Sequence, residues 1–341
     1  MNTLIPFICL AFGAAINWRG LPATVLKAFD IATNAALILL MAVIGLNIGT
    51  SPQVMGNLGA IGLNCLVISL SAIIGSVILV CLAEATVMPL EKIRLQLAEE
   101  STHTAEESTH TAEENAHAVE ESAGSQDALI QGSDEQSKTG FSPLIILMPA
   151  CIVIGITTGY FWLQDMSRGI LDTALTISLI FLYTGVGVSL GENKEVFQYI
   201  KRLGARVLFM PAAIFAGCIC GGLISGLLLG LPLSYSVISA SGMGYYSLTG
   251  AFMTETFGIE AGTYGFIVNV SRDVFTVALL PILSKISKGS PIASGAAGCM
   301  DTMLVPVTKA VGPELGMVAL ISGTILTFVV PVWLPVIWAF L

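Results

Sequence analysis

Charge is scarce in this sequence, and the scarcity excludes an ordinary soluble domain. Only 11% of the 341 residues are charged and 55% are hydrophobic, whereas a soluble protein carries about 25% charged residues. Apolar runs of roughly 18 residues or more recur along the chain, and each is long enough to cross the ~30 Å hydrocarbon layer of a bilayer. The composition therefore predicts an all-α polytopic membrane protein.

The net charge of −9 does not belong to the apolar part of the chain. Twelve acidic and three basic residues fall between Glu91 and Lys138, and the remaining sequence is neutral. This insert repeats a seven-residue unit, Ser101–Glu107 and Ser108–Glu114, and contains the three histidines of the chain, His103, His110 and His117. It has almost no apolar residue to bury, so we expect a solvated, disordered cytoplasmic linker; a metal-binding tract is the alternative.

The cysteines do not have the spacing of a zinc site. The seven cysteines lie in apolar segments, and their one close pair, Cys218-Gly-Cys220, fits no zinc-binding pattern. We therefore expect neither a metal site nor a cofactor, and nothing indicates a nucleic-acid partner. A proton, or else a sodium ion, is expected only as a coupling ion for transport.

The first six apolar spans fall into two groups of three that share one pattern of glycines. The spans are Leu4–Trp18, Ile31–Ile48, Gly59–Ala83, Pro143–Trp162, Leu171–Leu190 and Gly204–Leu229. A shift of 142 positions superposes Gly13 on Gly155, Asp30 on Asp172, Gly45 on Gly187, Gly49 on Gly191, Gly62 on Gly204 and Gly75 on Gly217. Because three is an odd number of crossings, the second group is predicted to lie inverted in the membrane. The predicted units are scaffold repeats at 1–83 and 142–232, joined by the linker at 84–141.

A second repeat, with a shift of 54, covers a predicted transport domain at 233–341. It superposes Gly258-Ile-Glu260-Ala-Gly262 on Gly312-Pro-Glu314-Leu-Gly316. Each copy has a Gly/Ser-interrupted segment followed by a clean apolar span; the pairs are Leu233–Phe257 with Gly262–Leu283, and Pro291–Val311 with Leu315–Trp338. An interrupted segment can cross the membrane as a broken helix, or it can enter and leave on one side as a re-entrant hairpin.

Basic residues favour the hairpins, because loops rich in Lys and Arg stay in the cytoplasm. They flank the first and fifth loops and are absent from the second, which puts the N-terminus outside. Lys285 and Lys288 are then cytoplasmic only if Leu233–Phe257 begins and ends outside; by the same logic Pro291–Val311, with Lys309 near its end, enters from the cytoplasm. We predict eight transmembrane helices and two opposed re-entrant hairpins in the bacterial inner membrane, with both termini outside. Ten crossing helices are the alternative.

Ionisable side chains at membrane depth are costly and rare, so they are functional candidates. The predicted hairpin tips, Ser239–Ser247 and Ser294–Gly298, add unpaired backbone groups and helix ends that suit a zwitterion. The candidate substrate-binding or ion-binding residues are Glu255, Arg272, Asp273, Asp301, Asn269, Ser241, Gly242, Tyr246, Ser247, Gly298 and Thr302. Arg272 could bind a substrate carboxylate or simply neutralise an acid, and Glu255, Asp273 or Asp301 could take an ammonium group or a coupling proton.

The same segments resemble the LysO family of bacterial lysine exporters. The matching motifs are Tyr246–Gly250, Thr254–Gly258, Arg272-Asp273, Gly298–Thr302 and Leu304–Val307. The resemblance implies export of L-lysine or a close analogue, with essential intramembrane carboxylates, of which Glu255 matches one. Family members also carry an acid just after the Gly45–Gly49 turn, whereas this chain has Thr50-Ser51-Pro52.

The order of three spans, three inverted spans and two hairpin–span units also resembles the glutamate-transporter fold, in the opposite orientation. That likeness implies an elevator mechanism, with the first six spans as a scaffold, and we expect a homo-oligomer. The favoured function is export of a cationic amino acid by proton antiport. The alternatives are a transporter of another zwitterion or small organic acid with Arg272 dominant, an intramembrane hydrolase using Asp273 and Asp301, and a passive channel.

Overall fold

The computed structural model describes residues 4–17, 23–87, 90, 143–162, 168–192 and 205–340. Within these ranges the chain forms α-helices joined by turns and two short 3-10 segments, without a β-strand, which confirms the predicted all-α class. Most of the acidic linker lies outside the described residues, and so do its three histidines and Gly204.

Six α-helices precede residue 230 in the described ranges. They are α1 (Leu4–Asn17), α2 (Ala23–Gly49), α3 (Pro52–Thr86), α4 (Pro143–Phe161), α5 (Arg168–Glu192) and α6 (Phe209–Leu229), the last following a 3-10 turn at Ala205–Leu208. α3 begins seven residues before the predicted span, because Pro52 at its first positions has the backbone torsion that a helix start requires.

The C-terminal part contains two long helices, each preceded by a pair of short ones. The first group is α7 (Leu233–Ala240), α8 (Tyr246–Phe257) and α9 (Ile259–Ile286); the second is α10 (Ser290–Gly295), a 3-10 segment (Ala296–Met300), α11 (Leu304–Val311) and α12 (Pro313–Phe340). α9 and α12 both have 28 residues. Each follows a glycine with positive φ, Gly258 at +94° and Gly312 at +100°, a conformation that L-residues rarely adopt.

Six helical stretches in the described residues are long and apolar enough to cross a membrane. They are Ile31–Gly49, Pro52–Thr86, Gly169–Ser189, Arg206–Leu229, Ile259–Ile286 and Pro313–Phe340, and α1 and α4 carry the shorter apolar stretches Phe7–Asn17 and Ala150–Phe161. The chain is therefore a multi-pass membrane protein. α7, α8, α10 and α11 have 6 to 12 residues, or roughly 9–18 Å of helix, which is too short to cross.

Glycines let the helices of the first half pack backbone against backbone. A Cβ atom at Gly13 would lie 3.0 Å from the Cα of Gly187, so α1 packs on α5. A Cβ at Gly45 would likewise lie 3.0 Å from the Cα of Gly155, so α2 packs on α4. α3 crosses α6 in the same way at Gly75, where a Cβ would overlap a carbonyl oxygen. The glycine pattern of the sequence thus marks helix crossings.

Candidate functional site

The loop between α7 and α8 meets the loop between α10 and α11 in the protein interior. We call them the first tip (residues 241–245) and the second tip (residues 296–303). The backbone N–H of Ala297 donates to the carbonyl of Met243 at 3.0 Å. Both tips pass through positive φ angles, +52° at Met243, +98° at Gly244 and +46° at Ala296. Non-glycine residues in this conformation are strained and cluster at functional sites.

Asn269, on α9, holds the first tip in place. Its side-chain oxygen accepts the N–H of Gly244 at 2.8 Å, and its side-chain nitrogen donates to the carbonyl of Ser239 at 2.9 Å. The nitrogen also donates to the carbonyl of Gly265 at 2.7 Å in the helix below. The side-chain oxygen and nitrogen are assigned by this bonding pattern. The Asn269 side chain therefore provides hydrogen-bond partners for backbone groups that the turn leaves unpaired.

Asp273, also on α9, lies between the two tips. A Cβ at Gly244 would be 3.4 Å from its Oδ1, and a Cβ at Gly298 would be 3.3 Å from the same atom, so Oδ1 faces a glycine of each tip. Thr302 donates its hydroxyl to Oδ2 at 3.3 Å. Oδ1 is buried and has no hydrogen-bond partner among the described residues. A buried, unsatisfied carboxylate oxygen is costly, which is typical of a functional group.

The remaining tip residues surround this carboxylate. Tyr246 is half-buried, packs edge-on against Phe266 with ring centroids 5.8 Å apart, and interacts electrostatically with Asp273 and Asp301. The side chain of Asp301 is exposed. Ser241, Gly242 and Ser247 are buried, and the Ser241 hydroxyl donates to its own helix at 2.7 Å. The structure therefore brings together most of the candidate residues, with Asp273 partly buried and Asp301 exposed.

Arg272 is only 2% exposed and is bound by the protein itself. Its guanidinium donates to the carbonyls of Ser294 and Ala293, both at 2.8 Å, on α10. It also donates to Ser76 Oγ on α3 at 3.2 Å and to Cys218 Sγ on α6 at 3.0 Å. Among the described residues none of these acceptors is a carboxylate. The geometry indicates that Arg272 ties α9 and α10 to α3 and α6, and it shows no contact through which Arg272 neutralises an acid.

Glu255 does not lie at the tips. It is in the last turn of α8, nine residues after Tyr246, which is about 14 Å along a helix. Its Oε2 accepts the hydroxyl of Thr176 on α5 at 3.1 Å. The single cluster that the sequence suggested is therefore divided into a tip site and a separate position for Glu255.

Glu255 lines a cleft of about 580 Å³ at this end of α8. The lining residues are Ser51, Pro52, Gln53, Val54, Leu175, Tyr235, Thr254, Glu255, Phe257, Gly258, Ile259 and Glu260. Two of them are carboxylates, and no Lys, Arg or His is among them. Sequence reasoning missed Ser51, Thr176 and Glu260 as site residues. The sequence does distinguish Glu260, because this residue stands in the repeated Gly-x-Glu-x-Gly motif. That motif indicated an internal repeat and not a binding site.

Acidic side chains at helix breaks in a multi-pass protein define the class as a membrane transporter. The sequence profile of the family described as lysine exporter LysO matches residues 7–98 and 149–338. The chain belongs to this family, which confirms the resemblance noted in the sequence. The family is one of transporters and not of enzymes, which removes the support for an intramembrane hydrolase.

Two relatives show how far the similarity extends. The Escherichia coli K12 protein named "Lysine exporter LysO" is 29% identical over 181 residues, which are 53% of this chain and 60% of that protein. The matched region thus spans less than two thirds of the E. coli protein. A Haemophilus influenzae protein named "Putative lysine exporter" is 27% identical over 188 residues, 54% of this chain and 93% of that protein. No solved structure matches the chain.

Proposed function

We propose that this protein exports L-lysine, or a similar cationic amino acid, across the bacterial inner membrane by proton antiport. The observation that carries the proposal is the cleft at Glu255 in a member of the LysO family. Two carboxylates line it without a basic residue among its described lining, so its field attracts cations. Its volume of about 580 Å³ lies within the range of roughly 300–1,000 Å³ that is usual for small-molecule sites.

An inverted repeat in α1–α6 is supported by the helix pairing. α1 packs on α5, and α2 packs on α4, at glycines that the 142-residue shift exchanges. α3 packs on its own counterpart, α6, where Ser76 Oγ and Cys218 Sγ lie 3.2 Å apart and are separated by 142 positions. Such a swapped arrangement is what a two-fold axis requires, and the odd number of spans in each repeat favours an axis in the membrane plane. We therefore assign α1–α6 as a scaffold at 1–83 and 142–232, and 233–341 as a transport domain.

The contacts between helix ends support the re-entrant hairpins and the predicted orientation of the chain in the membrane. The short helices flanking each tip cannot cross a bilayer singly. The cleft joins the α2–α3 turn, the start of α5 and the α8–α9 junction, and the basic residues predict that all three lie outside. At the opposite end, Glu84 Oε2 accepts the N–H of Gly289 at 3.4 Å, which joins two segments predicted to be cytoplasmic. We propose two hairpins that move as one body in an elevator mechanism, and a homo-oligomer in which each protomer carries one such body.

Uptake of radiolabelled lysine into inside-out vesicles, with an acidic or a neutral lumen, tests the proposal. We expect the acidic lumen to accelerate uptake, and Glu255→Gln and Glu260→Gln to weaken it. Glu314→Gln is the matched control for Glu260→Gln, because Glu314 occupies the same place in the first turn of α12 but does not line the cleft. Uptake that ignores both the gradient and Glu255→Gln would contradict the proposal.

A competition panel and a counterflow assay address the other functions. An organic-acid transporter would depend on Arg272 as its main ligand, but the guanidinium is already bound by four protein groups. We therefore expect arginine and ornithine to compete with lysine, and small organic acids not to compete. Counterflow of labelled lysine against unlabelled lysine distinguishes a carrier from a channel, which shows none.

A further inference from the structure

A second groove lies between α3 and α9, away from the cleft at Glu255. It has a volume of about 580 Å³ and shares no residue with that cleft. Aliphatic side chains and Cys81 line it, from Leu70 to Leu82 on α3 and from Leu279 to Ile286 on α9. No charged side chain is among this lining, so the groove does not suit an amino acid.

The groove has a closed floor and an open rim. The buried side chains of Ile73, Val77 and Leu283 form the floor, whereas Ile78 and Ile282 at the rim are more than half exposed. Both α3 and α9 are long and apolar enough to cross the membrane, so the exposed rim faces lipid. Whatever fills the groove therefore enters from the bilayer and is apolar where it touches the floor.

The groove is as long as one leaflet of the bilayer is deep. Leu70 lies near the middle of α3, and Leu82 lies twelve positions further on, near its end. This separation is about 18 Å of helix, and half of a ~30 Å hydrocarbon layer is about 15 Å. An acyl chain that enters at the Leu82 end therefore finishes near the middle of the bilayer while still inside the groove.

Two lysines stand at the Leu82 end of the groove. Lys285 directly precedes Ile286, the last lining residue of α9, and Lys288 is two residues after it. Lys285 is exposed and Lys288 is half-buried, and neither forms an ion pair with a residue that the structure describes. One carboxylate is near them, that of Glu84 on α3, and its Oε2 accepts the N–H of Gly289 at 3.4 Å. This end of the groove thus has an excess of positive charge.

We propose that the groove is a binding site for an anionic phospholipid, with one acyl chain between α3 and α9 and the phosphate group at Lys285 and Lys288. The apolar groove accounts for the acyl chain, and the two lysines account for the negative headgroup. Basic residues beside a groove between transmembrane helices are a known way of binding anionic headgroups. The same lysines predict that the lipid belongs to the cytoplasmic leaflet. This site lies outside the amino-acid cleft, and its existence does not depend on lysine export.

Thermal unfolding of the full chain in detergent micelles tests the headgroup part of the site. Delipidated protein is titrated with phosphatidylglycerol or with phosphatidylcholine of the same acyl chains, because a ligand of the folded state raises the unfolding temperature. We expect phosphatidylglycerol to stabilise the protein at a lower mole fraction than phosphatidylcholine.

Replacing both lysines at the groove should remove this preference. Lys285→Gln combined with Lys288→Gln should weaken the affinity for phosphatidylglycerol roughly 25-fold, since one basic residue near an anionic lipid contributes about fivefold. The affinity for phosphatidylcholine should not change. Lys309→Gln is the matched control, because Lys309 is an exposed lysine in the last turn of α11, a helix that does not line the groove.

Ile74→Trp tests the acyl-chain part of the site. Ile74 lines the groove and its side chain is exposed, so the larger indole ring fills space in the groove without entering the protein core. We expect Ile74→Trp to weaken the binding of phosphatidylglycerol. Leu63→Trp is the matched control and should leave the binding unchanged, because Leu63 is an exposed residue of α3 that does not line the groove.

Three outcomes would overturn the proposal. Equal affinities of the parent protein for the two lipids would show that the headgroup is not recognised. An unchanged affinity of the double lysine variant for phosphatidylglycerol would show that the phosphate binds elsewhere. If Ile74→Trp dissociates an oligomer, as measured by light scattering, and keeps its affinity for phosphatidylglycerol, a second copy of the chain covers the groove instead of a lipid.

Discussion

The elevator proposal predicts that joining α3 to α10 where Cys81 and Ser290 meet stops transport. Cys81, near the end of α3, places its Sγ 3.6 Å from the Oγ of Ser290, the first residue of α10. Ser290→Cys therefore puts two thiols side by side. Their sulfur atoms need to approach to about 2.05 Å to form a disulfide, a shift that side-chain rotation supplies.

The cross-link has a calculable effect on stability. Residues 81 and 290 are 209 positions apart, and the chain-entropy model gives about 5 kcal/mol of stabilisation for a loop of that length. Oxidised Ser290→Cys protein should thus unfold at a higher temperature than the reduced form. It should also transport nothing, because α3 belongs to the proposed scaffold and α10 to the moving domain. Higher stability together with loss of transport would show that the cross-linked protein is folded but cannot move α10 relative to α3.

The assay measures lysine counterflow in proteoliposomes before oxidation, after oxidation and after reduction with a thiol. The fractional loss of the counterflow rate should equal the fraction of protein that is cross-linked, and reduction should restore the rate. Ser290→Cys combined with Cys81→Ala is the control, because it keeps the new thiol but cannot form this bond. Full transport by the cross-linked protein would refute the reasoning, since α10 would then not move relative to α3.

Three further substitutions test the packing around the site. Arg272→Lys should lower the free energy of unfolding by about 3 kcal/mol, because a single ammonium group cannot replace four hydrogen bonds. Thermal unfolding measures this change. A variant that loses lysine affinity but keeps its stability would contradict the prediction. Gly75→Ala should cost about 3 kcal/mol by overlap with the α6 backbone, whereas Gly62→Ala, which meets nothing within 4 Å, should not lower the unfolding temperature. Asn269→Ala should make the first tip susceptible to limited proteolysis, because the N–H of Gly244 loses its acceptor. Unchanged cleavage would show that the first tip is stable without this hydrogen bond.

Local patterns predicted most of the helical architecture. Apolar length located the long helices to within a few residues at most ends, since the cost of burying a polar group in lipid acts on each segment separately. The glycine register at Gly13, Gly45 and Gly75 marked helix crossings, because only a residue without a side chain lets two backbones approach this closely. Family membership also followed from local motifs in the C-terminal hundred residues.

The site was predicted less completely, because contact partners are not local. Arg272 and Asp273 are adjacent in the chain, but they point to different neighbours, one to α3, α6 and α10 and the other to the two tips. Glu255 belongs to the same hairpin as the first tip, yet the length of α8 holds it about 14 Å away. Glu260 joins it in the cleft only because the chain turns sharply at Gly258.

The sequence by itself determined that the chain is a helical membrane protein of the exporter family, where its helices lie and which acids are exceptional. These properties depend on hydropathy, on glycine spacing and on motifs that are read along the chain. Only the tertiary structure decided that Gly13 meets Gly187 instead of its repeat counterpart, that Arg272 donates to four groups of the protein and that Glu255 lies away from the tips. The physical reason is that hydrogen bonds and close contacts join residues up to about 200 positions apart, such as Ser76 and Arg272, and no local pattern fixes such pairs.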